Sequence, residues 1–205
     1  MRACNLEHWT DAGREAMIEP RVARGIRLIG LDVDGVLTDA GVYIGAGPQG
    51  PIELKRFNIQ DSIGIKLLQA AGIEIVVVSG RFSEATELRA RELDIEQVFQ
   101  DNAARKLPAF QAILDRAGVG WDEAAFVGDD LPDIPLLKRV GLGVTVQNAV
   151  PEVREVATYV TGKAGGHGAV REFAEALLKA QGRWDEMVSG YLSARDESMR
   201  GEPHA

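Results

Sequence analysis

The stretch Ile26-Arg27-Leu28-Ile29-Gly30-Leu31-Asp32-Val33-Asp34-Gly35-Val36-Leu37-Thr38-Asp39 decides the fold. It opens as a short apolar run, the pattern of a buried strand. It ends in two carboxylates and a glycine. Residues i and i+2 of an extended chain point to the same side, so Asp32 and Asp34 project together where the strand ends. In open α/β sheets, ligands bind at the carboxyl ends of strands. Gly35 permits a tight turn and offers its N–H to an anion. An isolated Asp-Xaa-Asp-Gly is more often a turn after a core strand; the later motifs give this one its meaning.

The chain has 205 residues, 45% of them hydrophobic and 26% charged, ordinary for one medium α/β domain with extensions. No apolar run is long enough to span a membrane. Residues 1–25 carry charges throughout and lack an apolar signal core, so export is not expected and the expected location is cytoplasmic. The apolar pattern starts soon after Met17, a second candidate initiation site. The single Cys4 cannot form an internal disulfide, and three histidines with one cysteine disfavour a zinc site. A metal site would therefore use carboxylates, which suits Mg²⁺. The net charge of −8 disfavours a nucleic-acid partner but not a small anionic one.

Residues 1–25 read as an extension with at most a short helix. Residues 41–57 read as a β-hairpin around a Gly/Pro-rich turn. That turn contains Gly45-Xaa-Gly47-Xaa-Xaa-Gly50, formally a dinucleotide pattern. It lacks the strand-then-helix setting such a motif needs. Asp61-Ser62 predicts a helix N-cap, with Ile63, Ile65, Leu67, Leu68 and Ala71 facing inward and Gly72 ending the helix. Residues 73–78 are a buried strand leading to Ser79-Gly80-Arg81. A charged helix over 83–93 and a short strand over 97–99 follow.

The helix predicted over 103–117 carries Lys106 in its first turn, where Pro108 is tolerated. A strand over 124–127 runs into Gly128-Asp129-Asp130-Leu131-Pro132-Asp133. Residues 136–139 continue as a helix. Residues 142–146 form a strand, 151–156 a short helix and 158–160 a last strand. After the loop Gly165-Gly166-His167-Gly168, residues 169–181 form an amphipathic helix. Trp184, Met187, Val188, Tyr191 and Leu192 continue an apolar stripe. Residues 193–205 read as a flexible polar tail. Strands alternating with helices imply an α/β fold with a parallel sheet covered on both faces.

Asp32 and Asp34, Ser79, Lys106, and Asp129 and Asp130 thus fall at or near strand ends on one sheet edge. Each alone is more often a turn or a solvated side chain; in this order they compose a phosphoryl-transfer site. Asp32 can attack phosphorus, and Asp34 can protonate the leaving oxygen and then activate water. Ser79 and the N–H groups of Gly35 and Gly80 can hold phosphate oxygens, with Lys106 a fixed positive charge. Asp129 with Asp32 can hold Mg²⁺.

These motifs together resemble those of the haloacid dehalogenase superfamily of phosphatases. Finer stretches resemble its 3-deoxy-D-manno-octulosonate 8-phosphate (KDO 8-phosphate) phosphatases: Phe57-Asn58-Ile59-Gln60-Asp61-Ser62-Ile63-Gly64-Ile65, Lys138-Arg139-Val140-Gly141, Gly165-Gly166-His167-Gly168-Ala169-Val170-Arg171-Glu172 and Ala180-Gln181-Gly182. The likeness covers roughly residues 26–192. It implies a Rossmann-like three-layer α/β/α fold without a large cap. The hairpin at 41–57 would build a homotetramer, and the tail would reach a neighbouring site. The implied substrate is a phosphorylated 3-deoxy-2-keto sugar acid, hydrolysed through an aspartyl-phosphate. The resemblance also implies Mg²⁺ on the Asp32 carboxylate, the Asp34 backbone carbonyl and Asp129, with Asp130 supporting it through water.

Asn58, Gln60, Arg81, His167 and Arg171 are the candidate substrate contacts. Gln60 and Ser62 depart from an Arg and a Gly common in the family, and His167 stands where Arg or Lys is common. Arg81, or Arg171 from a neighbouring subunit, is then expected to meet the sugar carboxylate. The Asp61-Ser62-Xaa-Gly64 form looks more like phosphatases of nine-carbon sugar acids, or the terminal domain of some cytidylyl-sialate synthetases. Two non-enzyme alternatives are a phospho-accepting receiver, which would not need Asp34, and a silent oligomerisation domain.

Overall fold

A computed structural model of the chain describes residues 17–48 and 50–200, the last four by backbone alone. Cys4, His8 and His204, most of the expected extension and the end of the expected tail lie outside the described residues. The elements are α1 (Pro20–Gly25), β1 (Leu28–Leu31), β2 (Tyr43–Gly47), β3 (Gly50–Leu54), α2 (Ile59–Ala70), β4 (Glu74–Ser79), α3 (Glu84–Glu92) and β5 (Gln97–Gln100). They continue with α4 (Lys106–Ala117), β6 (Ala124–Gly128), α5 (Ile134–Leu137), β7 (Leu142–Thr145), α6 (Pro151–Val156), β8 (Tyr159–Val160), α7 (Ala169–Gln181) and α8 (Trp184–Arg200).

Six strands form one sheet in the order β5-β4-β1-β6-β7-β8, every pairing parallel. β1 sits inside it, Leu31 opposite Val77 on one side and Val127 on the other. All four of its residues are buried, which its unbroken apolar run requires. α1, α2, α7 and α8 pack together as one helical layer, while α4 and α5 pack against each other and the sheet. Phe110 of α4 meets Phe126 of β6 edge-on at 5.4 Å between centroids. β2 and β3 form a separate antiparallel hairpin, Tyr43 opposite Leu54. The parallel α/β sheet, the helices flanking it and the hairpin after the first strand are therefore present as read from the sequence.

Three boundaries differ. α2 begins at Ile59 with Asn58 as its N-cap, whose side chain accepts from the Gln60 N–H at 2.8 Å. Asp61, expected to cap α2, lies inside that helix and serves another one. α4 begins at Lys106 rather than at 103, because Ala104 takes a positive φ of 53° in the preceding turn. Helix α8 runs through Arg200, past the point where the sequence places a flexible tail. The glycine triplet at 45, 47 and 50 lies in the hairpin with no helix after it, so the dinucleotide motif has no structural counterpart.

Gly30 in β1 tests the packing. A Cβ there would lie 2.6 Å from Phe110 Cε2 and from Phe126 Cδ2. Gly30→Val should cost about 1–3 kcal/mol through overpacking, lowering the urea midpoint. An unchanged midpoint would contradict this account of the core.

Candidate active site

Asp32 follows directly on β1 and continues its ladder, its N–H donating to the Val127 carbonyl at 3.0 Å. The carboxylate is buried. The chain then turns through a single π-type turn, Val33–Leu37. Gly35 carries that turn at φ +99°, a conformation costly for other residues. Thr38 closes it, donating to the Val33 carbonyl at 3.2 Å and accepting from the Gly35 N–H at 3.4 Å. A bridge from Thr38 to Phe57 ties the hairpin's exit to this turn.

Lys106, buried at the start of α4, reaches Asp32 Oδ1 at 2.8 Å and Asp133 Oδ1 at 2.6 Å. Asp133 is fully buried, and its other oxygen accepts from the N–H groups of Asp129 (3.0 Å) and Asp130 (3.3 Å). It thereby fixes both the lysine and the turn bearing Asp129. Nothing in the Gly128–Asp133 motif marks Asp133 for this role from sequence alone, beyond its placement at the third position of the short turn after Asp130. Asp129 lies over Gly35: a Cβ there would fall 2.0 Å from Asp129 Oδ2. Asp130 is exposed, and its carboxylate accepts from the Leu131 N–H at 2.7 Å.

Asp32, Asp129 and Asp133 offer oxygens within 4.8 Å of one another. Burial first, then the Asp133 charge, pushes the Asp32 carboxyl up to about 7 despite Lys106. Burial, then Asp32 and Asp133, pushes Asp129 up to about 8. Burial would lower the Lys106 ammonium, but Asp32 and Asp133 outweigh it and hold it raised. Among the described residues, Asp129 Oδ1 is a buried oxygen with no hydrogen-bond partner. One lysine thus faces three carboxylates. A hard, oxygen-preferring divalent cation fits that imbalance and that oxygen.

β4 delivers Ser79 to the same edge. Its buried Oγ donates to the Arg81 carbonyl at 3.0 Å and accepts from the Arg81 N–H at 3.2 Å. Gly80 lies close over Ala104 and the Lys106 stem. Arg81 pairs with Glu53 of the hairpin, which also accepts from Ser83 Oγ at 2.6 Å. A second lysine, Lys55, stands beside Asp34 at 2.8 Å. Sequence reasoning missed both Glu53 and Lys55, because hairpin charges at alternating positions look like a solvated strand face.

The glycine-rich loop packs onto the Asp34 turn from the other side. A Cβ on Gly165 would fall 1.7 Å from the Gly35 carbonyl oxygen, so backbone meets backbone there. Asp61 of α2 accepts from the Arg171 N–H at 2.8 Å and so caps α7 across the interface. Asn58 Nδ2 reaches the Gly166 carbonyl at 3.4 Å, and Arg56 reaches the same carbonyl at 3.1 Å. Gln60 and His167 are exposed at this rim, Gln60 beside Gly168. The Arg171 guanidinium lies over the Trp184 ring, 5.2 Å from its centroid. Asp32, Asp34, Gly35, Ser79, Gly80, Lys106 and Asp129 are thus brought to one edge. Arg171 is held on α8, away from that carboxylate cluster.

The chain belongs to the haloacid dehalogenase-like hydrolases, whose family pattern matches residues 97–173. Along 164 residues it is 43% identical to 3-deoxy-D-manno-octulosonate 8-phosphate phosphatase KdsC of Escherichia coli K12, covering 80% of this chain and 85% of that enzyme. The fold is similar to the Moraxella catarrhalis phosphatase of that name, crystallised with magnesium, phosphate and KDO. There the TM-score is 0.78, with 35% identity over 84% of this chain and 97% of that one. It is also similar to a subfamily III A hydrolase of the superfamily from Legionella pneumophila, TM-score 0.78, 39% identical over 85% and 93% of the two chains. These relatives support neither a receiver nor a silent oligomerisation domain.

The carboxylate cluster predicts an inverted pH dependence of stability. Asp32 and Asp129 hold protons in the folded state that an unfolded chain releases near pH 4. The metal-free protein should therefore lose stability as pH rises from about 4 to about 8. Each such proton contributes a slope of at most about 1.4 kcal/mol per pH unit. Asp129→Asn should flatten this decline in urea titrations between pH 5 and 8. An equal slope in both proteins would contradict it.

Proposed function

We propose that the chain is a Mg²⁺-dependent phosphatase converting 3-deoxy-D-manno-octulosonate 8-phosphate to KDO and phosphate. The observation that carries this is the buried Lys106 between Asp32 and Asp133, beside Asp129, in a chain 43% identical to the KdsC phosphatase. Mg²⁺ would be held by the Asp32 and Asp129 carboxylates and the Asp34 backbone carbonyl, with Asp130 acting through water. When bound, it offsets the repulsion between these carboxylates and the substrate phosphate.

An Asp32 oxygen attacks phosphorus, and the bond from phosphorus to the sugar oxygen breaks. Asp34 gives that oxygen a proton. It then takes one from a water whose oxygen attacks the aspartyl-phosphate, releasing phosphate and restoring Asp32. Lys106 and the N–H groups of Gly35 and Gly80 balance the phosphoryl charge, with Ser79 on the same oxygens. Arg81, Asn58, Gln60 and His167 face the sugar-acid end. Arg171 would reach it only from a neighbouring subunit.

Residues 26–192 would be the catalytic unit, with 1–25 an extension and 193–205 a tail. The hairpin supports a homotetramer: Tyr43 is 64%, Ile44 77% and Leu54 61% exposed, more apolar surface than an isolated ribbon carries in water. The location we propose is cytoplasmic; no helix among the described residues is long and apolar enough to cross a membrane.

Purified protein should release phosphate from KDO 8-phosphate with Mg²⁺ and stop, reversibly, on chelation. Asp32→Asn should reduce kcat by at least about 10⁴-fold, since an amide cannot form the covalent bond. Substantial phosphate release by Asp32→Asn would refute the assignment.

A further inference from the structure

We propose that Lys55, a hairpin residue, is a positioning residue for Asp34, so that proton transfer to the leaving group depends on the seated hairpin. The inference rests on the phosphatase reading above. Lys55 follows β3, yet its side chain is 0% exposed. Its ammonium donates a hydrogen bond to Asp34 Oδ2 at 3.0 Å and lies 2.8 Å from Oδ1 as an ion pair. It also reaches Thr86 Oγ1 at 3.5 Å and Glu53 Oε1 at 3.9 Å.

A buried lysine is costly unless paired, and Asp34 is its nearest acid. The other buried lysine, Lys106, is already engaged by Asp32 and Asp133. The site therefore sorts its charges: Lys106 serves the nucleophile, Lys55 the acid and base. Asp34 occupies an extended position of the turn, at φ −78° and ψ 106°, just before Gly35, and is partly open, its side chain 25% exposed. Nothing else among the described side chains is shown to grip its carboxylate. Lys55 fixes the rotamer that faces the leaving oxygen.

Glu53 anchors the same strand to Arg81 and Ser83, while the half-exposed Arg56 makes only a surface pair with Asp39 at 3.1 Å. The hairpin that carries the apolar face thus also carries the residue that aims the catalytic acid. Its seating and the acid's geometry are one structural fact.

The consequence is specific to one bond. Breaking the bond to an alkoxide needs the Asp34 proton; breaking the bond to a nitrophenolate does not. With either substrate, kcat/KM reports events through the first phosphoryl transfer to Asp32. In Lys55→Met, kcat/KM should fall at least about 30-fold for KDO 8-phosphate and less than about 3-fold for 4-nitrophenyl phosphate. Lys55→Arg should restore most of the loss. Arg56→Met, which removes a half-exposed hairpin charge paired with Asp39 and leaves Lys55 and Glu53 in place, should leave the ratio of the two substrates unchanged. If Lys55→Met does not fold, Lys55→Gln is measured in the same way. Equal losses for both substrates would overturn the proposal, as would a ratio that Arg56→Met moves equally. Should wild type not release phosphate from KDO 8-phosphate, the phosphatase reading fails. If wild type is active and the ratio does not move, the role of Lys55 alone fails.

Discussion

The site is organised by the burial of one positive charge among several negative ones. Lys106 is held by Asp32 and Asp133 in a region that excludes water from all three. Removing the lysine would leave two buried acids with Asp129 beside them and no cation among them, whereas removing either acid would leave the lysine paired with the other. The pairing fixes where α4 begins relative to the end of β1. Through the second oxygen of Asp133 it also fixes the turn after β6. Three segments distant in sequence are thus tied at one point. The imbalance that remains, with Asp129 close to both acids, is what a divalent cation would relieve.

A second set of contacts works from the hairpin. In many α/β enzymes a separate domain covers the strand ends. Here a two-stranded ribbon leaves after the Asp34 turn and returns to it through the Thr38–Phe57 bridge. Its inner charges, Glu53 and Lys55, meet the site, while Tyr43 and Leu54, paired with each other on the other face, are exposed, as is Ile44. One element therefore presents charge to the chemistry and apolar surface to the outside. On the far side, the glycine loop presses against Gly35, with Asp61 capping α7 behind it. The Asp34 turn is gripped from both directions.

The parallel sheet was legible because its strands are continuous apolar runs bounded by turn residues, and the strand-end acids stood out against them. Helix starts were less legible. Asp61 and Asn58 are both good capping residues, and sequence alone cannot show that Asp61 caps a helix 110 residues away. Asp133 was visible within its motif, but its pairing with Lys106 is a long-range contact that no local pattern reports. Lys55 was hidden for a different reason. A charged residue in a ribbon reads as solvated, and only tertiary packing reveals it buried against a carboxylate. The polar stretch after Leu192 lacks the apolar stripe that marked the preceding residues, yet α8 continues through it to Arg200.

The chemistry proposed for this site turns on Asp32 carrying the phosphoryl group between substrate and water. Rapid acid quench during turnover, followed by borohydride reduction and peptide sequencing by mass spectrometry, reads this directly. Homoserine is expected at position 32 and nowhere else. Homoserine at another aspartate, or none while turnover proceeds, would contradict it.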